Sequence, residues 1–457
     1  MSAYIYRAVA ILVMTACMSR EAHPQNRVIT LAGSQRDMIS DIAVDANHYS
    51  YLSCFTESED GDFTRQRVGN GDLCVVRLDP TNQVLWKTTV GTFGQGVVYR
   101  PIPITANGQQ GCFVATSIGW NSSSVPDNTS TGMDMFIARL DTSGNVIWKV
   151  VAGGTLDDVP YSLIATEDGG IVIAGYTASR DADFEREGKY RFDKDMFLMK
   201  IDSVGIMQWT HTYGGSREDV FTDVRATDDG GWMAVGWSDS DNCQFQDLNK
   251  GAEDAILMKI DSNGEVLWAR TYGTNGYDDA TELKHAMNGE WIIVGSTWGR
   301  GWLYNFVMSL FSSEDGDGDF AGKLKGFSDA FVIKVDSNGN ILWSSIIGGD
   351  DREICNAVAV THDNDIVMTG SYNSGDGDFE DQHSYGDLDG VFISRFNSNG
   401  QRLWIKTIRG SNDEWPTCCA ARNGEVLIGV NSLSNDGDFL DLKKGWTDIH
   451  VFSVKNE

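Results

Sequence analysis

The chain is short of positive charge and of proline. Its 457 residues include 36 lysines and arginines against 65 aspartates and glutamates, giving a formal net charge of −29. A nucleic-acid-binding surface needs a basic patch, so this deficit excludes nucleic acid as a partner. Only 7 prolines accompany 50 glycines. That balance suits many tight turns between strands better than a disordered chain.

Long apolar runs are also missing, with one exception at the N-terminus. Residues 8–16 follow Arg7 and are apolar, too few to span a bilayer but typical of a signal-peptide core. Residues 14–17 (MTAC) resemble a bacterial lipobox with an atypical first residue, which leaves lipidation of Cys17 and simple export both open. We expect a signal peptide at 1–17, a linker at 18–26 and a folded domain at 27–457. The expected location is an outer-membrane lipoprotein, the periplasm or the cell exterior, with membrane contact only through a lipid anchor.

What is present is an internal repeat. Trp86, Trp148, Trp209, Trp268, Trp343 and Trp404 each end an apolar phrase such as VLW, at near-regular intervals with one longer gap before Trp343. Each copy contains four strand patterns, which we name p, q, r and s in chain order. Asn-Gly and Asp-Gly turns in the p–q and r–s links indicate antiparallel neighbours. The s–p link is the longest, so we expect it to cross from one sheet to the next.

The seventh copy is split between the two ends of the chain. Residues 27–33, 39–45 and 49–56 match strands q, r and s, whereas 448–456 match strand p. These complementary ends predict an all-β, seven-bladed β-propeller of four-stranded antiparallel blades, with the ring closed by the C-terminal strand joining the N-terminal blade. Full closure leaves no free sheet edges between the ends.

The repeat unit resembles that of bacterial secreted propeller proteins, often from Bacteroidetes. It reads D-x-F-φ-φ-K-φ-D-S-x-G-x-φ-x-W, then G-G, an acid, D-G-G and D-G-D-F, where φ is apolar, and it covers residues 27–457. The resemblance implies the fold and no established activity. The D-S-N-G-x-φ-x-W segment also faintly resembles quinoprotein propellers, whose alcohol dehydrogenases carry a vicinal disulfide beside the cofactor. Cys418-Cys419 is therefore either such a pair or two strand thiols.

Acidic residues recur in the loops of one predicted face, which we call the acid-rich face. Strand alternation places the q–r and s–p loops there together. Six of the seven q–r loops carry an acid, expected to bind backbone N–H groups, whereas the remaining loop has Gly96 in that place; the acids are Asp37, Asp158, Asp219, Asp278, Glu353 and Glu414.

Five of the s–p loops carry D-G-D-F or D-A-D-F, one carries a degraded copy that ends at Phe245 with Cys243 in the Gly place, and one carries no copy. Their carboxylates are either structural turns or Ca²⁺ ligands, although none matches the full Ca²⁺-loop spacing of D-x-[DN]-x-[DN]-G-x₅-E. These candidate ligands are Asp60, Asp62, Asp181, Asp183, Asp317, Asp319, Asp376, Asp378, Asp436 and Asp438.

One s–p link contains an aromatic insertion between residues 295 and 320. An exposed apolar loop would be an interaction site; the alternative is that it folds down and plugs the channel or packs on a neighbour. The candidate binding residues are Trp298, Trp302, Tyr304, Phe306 and Phe311.

No P-loop, G-x-S-x-G, H-E-x-x-H or dinucleotide fingerprint is present in the sequence. The sequence therefore favours a non-catalytic exported binding or scaffold protein that uses loops on one propeller face, with a protein or glycan partner at the cell surface. The alternatives are a propeller hydrolase or lyase acting on glycans and, less favoured, a quinoprotein-like oxidoreductase.

Overall fold

The computed structural model describes residues 26–64, 71–92, 98–104, 110–119, 132–184, 193–246, 248–298, 318–320, 323–380, 388–440 and 445–455. These residues form seven four-stranded antiparallel sheets arranged as the blades of a propeller. The predicted fold is confirmed. No helix in these ranges is long and apolar enough to cross a membrane.

The strands follow the chain in regular order. The first, β1 (Asn26–Leu31), belongs to the last blade. Blade 1 contains β2 (Asp37–Val44), β3 (Ser50–Thr56), β4 (Asp72–Leu78) and β5 (Val84–Thr92), and blade 2 contains β6 (Val98–Ile104), β7 (Gly111–Ile118), β8 (Asp134–Leu140) and β9 (Val146–Ala152). Blade 3 contains β10 (Asp158–Ala165), β11 (Ile171–Thr177), β12 (Asp195–Ile201) and β13 (Met207–Tyr213), and blade 4 contains β14 (Asp219–Ala226), β15 (Trp232–Ser238), β16 (Asp254–Ile260) and β17 (Val266–Tyr272).

Blade 5 contains β18 (Tyr277–His285), β19 (Trp291–Trp298), β20 (Ser328–Val335) and β21 (Ile341–Ile347), and blade 6 contains β22 (Glu353–Val360), β23 (Ile366–Tyr372), β24 (Gly390–Phe396) and β25 (Arg402–Ile408). Blade 7 contains β26 (Glu414–Arg422), β27 (Glu425–Ser432), β28 (Asp448–Lys455) and β1.

The ring closes as the sequence predicts. Strand β1 pairs antiparallel with β28, with Arg27 opposite Phe452 and Leu31 opposite Ile449. The first and last described strands therefore complete one blade together.

The predicted crossover between blades is wrong. Strands s and p pair within one sheet in every blade, and the chain moves to the next blade through the q–r link. Each blade reads r, s, p, q, and the r strands of neighbouring blades contact one another around the central channel. Loop length misled the prediction because the s–p link is long for a different reason: it carries a 3₁₀ turn that binds back to the q–r crossover.

The repeated aromatic residues lie between blades. The phenylalanine that ends each described s–p turn is fully buried, for example Phe63 and Phe379. The repeated tryptophan links its blade to the next one, since the indole Nε1 of Trp86 donates to the backbone oxygen of Thr142 at 2.8 Å. Trp148 and Trp343 repeat this bond to the p–q turns of blades 3 and 6.

Candidate functional site: the acid-rich face and the central channel

The described D-G-D carboxylates bind the crossover that enters their own blade. In blade 1, Asp60 Oδ1 accepts the N–H of Ser34 at 2.7 Å and Asp62 Oδ2 accepts that of Ala32 at 3.0 Å. The same two bonds recur for Asp181 and Asp183, for Asp376 and Asp378, and for Asp436 and Asp438. This geometry is what the structural interpretation of these loops requires, and it holds the two loop types on one face.

The q–r acids are buried between the q–r crossover and the s–p loop that these hydrogen bonds join. Asp158 has no exposed surface and accepts hydrogen bonds from the Gly154 N–H at 2.6 Å, from the Ser179 hydroxyl at 2.8 Å and from the Thr177 hydroxyl. Burial raises the pKa of Asp158 to about 7 despite these bonds. Asp37 and Asp219 have the same three kinds of donor, and burial raises the pKa of each to about 6. The predicted structural role of these acids is confirmed.

Several candidate metal ligands also form ion pairs. Lys250 pairs with Asp319, and Lys325 and Arg402 both pair with Asp378 at 2.5 and 2.7 Å. Asp317 lies outside the described residues. Within the described ranges, no group of three or more His, Cys, Asp or Glu residues is arranged to hold a metal ion. Ca²⁺ binding stays a prediction.

The aromatic insertion lies mostly outside the described residues, which include Trp298 but not Trp302, Tyr304, Phe306 or Phe311. Trp298 ends β19 and its ring meets that of Phe327 edge-on, with centroids 6.1 Å apart.

The most exposed aromatic residue that the structure describes on this face is Trp446, in the s–p link of blade 7. The residue is 76% exposed, yet its backbone is hydrogen-bonded in place. The Trp446 N–H donates to the Gln35 oxygen at 3.2 Å, and Thr447 pairs with Arg36 in a short parallel bridge. Leu440 in the same link is 62% exposed. Sequence reasoning missed Trp446 because it does not belong to the repeat and is not in the insertion.

The central channel is lined by r strands that share one irregularity. Each of the seven has a β-bulge, and in the six whose side chains are described the additional residue is polar: Ser40, Tyr161, Thr222, Thr281, Asn356 and Thr417. A β-bulge leaves backbone groups of its strand unpaired and changes the direction in which nearby side chains point. In blades 4 and 5 the next residue is an acid that binds an N–H of the following blade: Asp223 accepts that of Leu283 at 3.0 Å, and Glu282 accepts that of Val358 at 2.6 Å.

These acids anchor a charged network that sequence reasoning did not find. Arg225 Nη1 lies 2.6 Å from Asp223 Oδ1, and Arg225 Nη2 lies 3.5 Å from Glu282 Oε1. Lys284 Nζ lies 2.6 Å from the same Glu282 oxygen. Arg225, Glu282 and Lys284 of this network, with Asp41 and other inner-strand residues, line a cavity of about 390 Å³. The available signal was the polar phrases TDVR and TELK within two of the r strands.

Cys418 and Cys419 lie on opposite faces of β26. Cys418 packs in the interface between blades 7 and 1, and Cys419 packs in the interface between blades 6 and 7. Both side chains are buried, and no disulfide joins them. They therefore occupy the positions expected of strand thiols.

No protein-family model matches the chain. It is 21% identical over 413 residues to the uncharacterized WD repeat-containing protein L264 of Acanthamoeba polyphaga mimivirus, covering 72% of this chain and 29% of that protein. It is 27% identical over 172 residues to the regulatory protein FlaEY of Caulobacter vibrioides, covering 36% of this chain and 18% of that protein. The chain thus matches less than a third of the length of either relative.

Solved structures resemble the chain at lower identity. A catalytically inactive virginiamycin B lyase from Staphylococcus aureus gives a TM-score of 0.49 at 9% identity, covering 94% of this chain and 98% of its own. The Neurospora crassa Pan2 WD40 domain gives a TM-score of 0.47 at 10% identity, covering 92% of this chain and 90% of its own. A Bacteroides caccae protein of unknown function gives a TM-score of 0.38 at 8% identity, covering 73% of this chain and 89% of its own. The assignment of seven blades depends on the sheet order of the chain itself.

Proposed function

We propose that this protein is a non-catalytic binding or scaffold protein whose partner surface is the acid-rich face around Trp446. The observation that carries the proposal is a tryptophan 76% exposed on a backbone held by bonds to the crossover that leads from blade 7 to blade 1. Tryptophan is enriched among residues that dominate binding energy, and a fixed backbone lowers the entropy lost on association.

The loops of this face support the proposal because they form a rigid platform. The paired carboxylate bonds recur in blades 1, 3, 6 and 7. Each of these loops is therefore fixed to the neighbouring crossover by its two aspartate carboxylates, which accept backbone N–H groups. Repetition of one closed framework with variable loops is the arrangement that repeat proteins use for binding surfaces.

Site-specific photo-crosslinking in producing cells tests the proposed surface. A photoreactive amino acid replaces Trp446, and the matched control replaces Leu267, which is 56% exposed on the outer strand of blade 4. We expect one discrete adduct from position 446 and none from position 267. Equal adducts from both positions, or none from 446, would contradict the proposal.

Trp446→Ala should weaken binding of the crosslinked partner at least about tenfold with the melting temperature unchanged.

We further propose that the chain is exported through residues 1–17, with lipid attachment at Cys17 or simple cleavage, and that its partner is a surface protein or glycan. The resemblance to secreted bacterial propellers supports this location. Fractionation combined with mass spectrometry of the mature N-terminus tests it. Full-length protein in the cytoplasm that retains residues 1–16 would contradict it.

Calcium is proposed as the one metal for the D-G-D loops. Their carboxylates keep lone pairs beyond those used by backbone N–H groups, and oxygen ligands suit Ca²⁺. A ligand of the folded state raises its melting temperature. Chelated protein should therefore melt higher in millimolar Ca²⁺ and not in Mg²⁺; an unchanged melting temperature would remove the metal from the proposal.

A second candidate function, an enzyme acting on glycans, is favoured by the channel cavity. Glu282 lies there beside Lys284 and Arg225, and paired acids and bases in a cavity are typical of hydrolases and lyases. Purified protein and a Glu282→Gln variant should be compared on a panel of polysaccharides. Turnover that the variant loses would favour catalysis over the scaffold.

A further inference from the structure

Three cysteines meet in the interface that closes the ring. Cys54 and Cys74 lie on β3 and β4 of blade 1, and Cys418 lies on β26 of blade 7. All three belong to one buried cluster with Leu31 of β1 and Ile449 of β28. Cys54 and Cys74 have no exposed surface. This cluster is the only one of those in the described residues that contains three thiols.

Cys54 and Cys74 are also direct partners in the β3–β4 ladder. Directly opposite residues in an antiparallel pair have Cα atoms about 4.5 or 5.5 Å apart and side chains on the same side of the sheet. Disulfides bridge Cα separations of about 4.4–6.8 Å. The register therefore meets the distance requirement without movement of the backbone, and no other described cysteine faces a cysteine across a ladder: Cys112 faces Leu140 and Cys355 faces Gly370.

We propose that Cys54 and Cys74 form a disulfide during folding. This modification site lies on the face of blade 1 that packs against blade 7. The oxidant is a disulfide, either glutathione disulfide or a thiol–disulfide exchange protein. One cysteine thiolate attacks the oxidant and releases one reduced thiol. The second cysteine then attacks the mixed disulfide and releases the other, so two protein thiols are oxidised and one disulfide is reduced to two thiols.

The reaction belongs to the folding stage because the folded interface protects both thiols. Burial raises the pKa of Cys74 to about 12 and that of Cys54 well above its ordinary value. Thiolate is the nucleophile in exchange, so the folded, reduced protein reacts slowly. Formation in the cell depends on the proposed export into an oxidising compartment, whereas the chemistry of the purified protein does not.

Oxidative refolding of the full mature chain tests the proposal. Protein unfolded and reduced is refolded in a glutathione redox buffer, alkylated and digested without reduction. Mass spectrometry should find Cys54 linked to Cys74 in most molecules, with Cys112 and Cys355 alkylated. Alkylation of both Cys54 and Cys74, or a bond from Cys54 to Cys418 in their place, would overturn the proposal. The same buffer applied to folded, reduced protein should give the bond at least tenfold more slowly; an equal rate would overturn the folding-stage step.

Stability provides an independent measurement. Oxidised wild-type protein should melt several degrees above reduced wild-type protein, because the bond restricts the unfolded chain. A Cys54→Ala/Cys74→Ala variant should lose this redox-dependent shift, and the matched control Cys112→Ala should keep it. A redox shift that survives the double substitution would place the responsible bond elsewhere. If the double variant does not fold, the peptide assignment on wild-type protein still decides the question.

Discussion

Buried carboxylates are the residues on which the acid-rich face depends. Asp158, Asp219 and Glu414 each accept the N–H of a crossover residue at 2.6–3.0 Å and have no exposed surface. Burial raises the pKa of Glu414, like that of Asp158, to about 7. A negative net charge of 29 acts in the same direction, since protonation of acids relieves repulsion in the compact state.

These pKa values make stability depend on pH in an unusual direction. A carboxyl whose folded pKa lies above its unfolded value takes up a proton on folding, so its contribution is fully present below the unfolded pKa and is lost as pH rises through the folded pKa. We therefore expect the free energy of unfolding to increase as pH falls from 8 to 5. Asp158→Asn should remove about 2 kcal/mol of that change, measured by urea unfolding across the pH series. Asp228→Asn, in an exposed turn, is the control and should keep the wild-type slope.

Single residues were predictable where the repeat exposed them. The q–r acids recur four residues after the second glycine position, and backbone binding follows from that position. Asp223 and Glu282 were not predictable in the same way, because their role depends on a bulge that frees an N–H in the next blade. A bulge depends on the pairing of two strands, which the pattern of a single strand does not specify.

At the scale of the element, the s–p turn depends on a left-handed residue. Gly377 and Gly437 have φ of +58° and +59°, and a Cβ at Gly437 would lie 2.3 Å from the Arg409 oxygen. Blade 3 has Ala182 there, with φ of +51°. Its turn is looser: the Asp183 N–H to Gly153 oxygen distance is 3.4 Å, against 3.0 Å for Asp378 to Gly348.

Exchanging these residues should therefore have opposite effects. Ala182→Gly should stabilise the protein by about 0.5–1 kcal/mol, because relief of the left-handed strain outweighs the added freedom of the unfolded chain. Gly437→Ala should destabilise it by about 2 kcal/mol, since strain and the carbonyl clash add. Chemical unfolding of both variants measures the two changes. A loss of stability in Ala182→Gly would contradict this account of the turn.

The sequence also predicted most elements, since apolar strand patterns and Gly turns agree with the observed β2, β3 and β28. The crossover was misassigned because loop length does not show whether a link joins two strands of one sheet or leads to the next sheet. Which link leaves the sheet is decided by the ring: the r strand of each blade has to reach the channel, and only the q–r link connects the outermost strand to the innermost one.

At the scale of the whole molecule, closure depends on two strands without a connecting turn. In blade 5, residues 336–340 join p to q, and blade 7 has no equivalent link because β28 and β1 come from opposite ends of the described chain. Trp404 therefore faces a blade without the p–q turn that receives the indole N–H of Trp86, Trp148 and Trp343.

A circular permutant tests this closure. The permutant joins residue 454 to residue 25 through a copy of residues 336–340 and opens the chain between Asp229 and Gly230, at a turn where an added Cβ would meet no atom within 4 Å. We expect a soluble monomer that melts within a few degrees of wild type. Deletion of residues 26–31 should lower the melting temperature by about 10 °C and cause association through the bare edge of β28. A permutant that fails to fold while the deletion tolerates heating would contradict the closure described here.

Pairing of β1 with β28 also sets the order of events when the protein is made. Thr30 and His450, which share a hydrogen bond across the closing blade, are 420 residues apart. Strand β1 therefore has no pairing partner until β28 has been synthesised. Blades 1 to 6 can form as they emerge, but the seventh cannot form until synthesis is nearly complete. During that interval an apolar strand and an open sheet edge stay exposed, which is the period when a chaperone would have to protect the chain from aggregation.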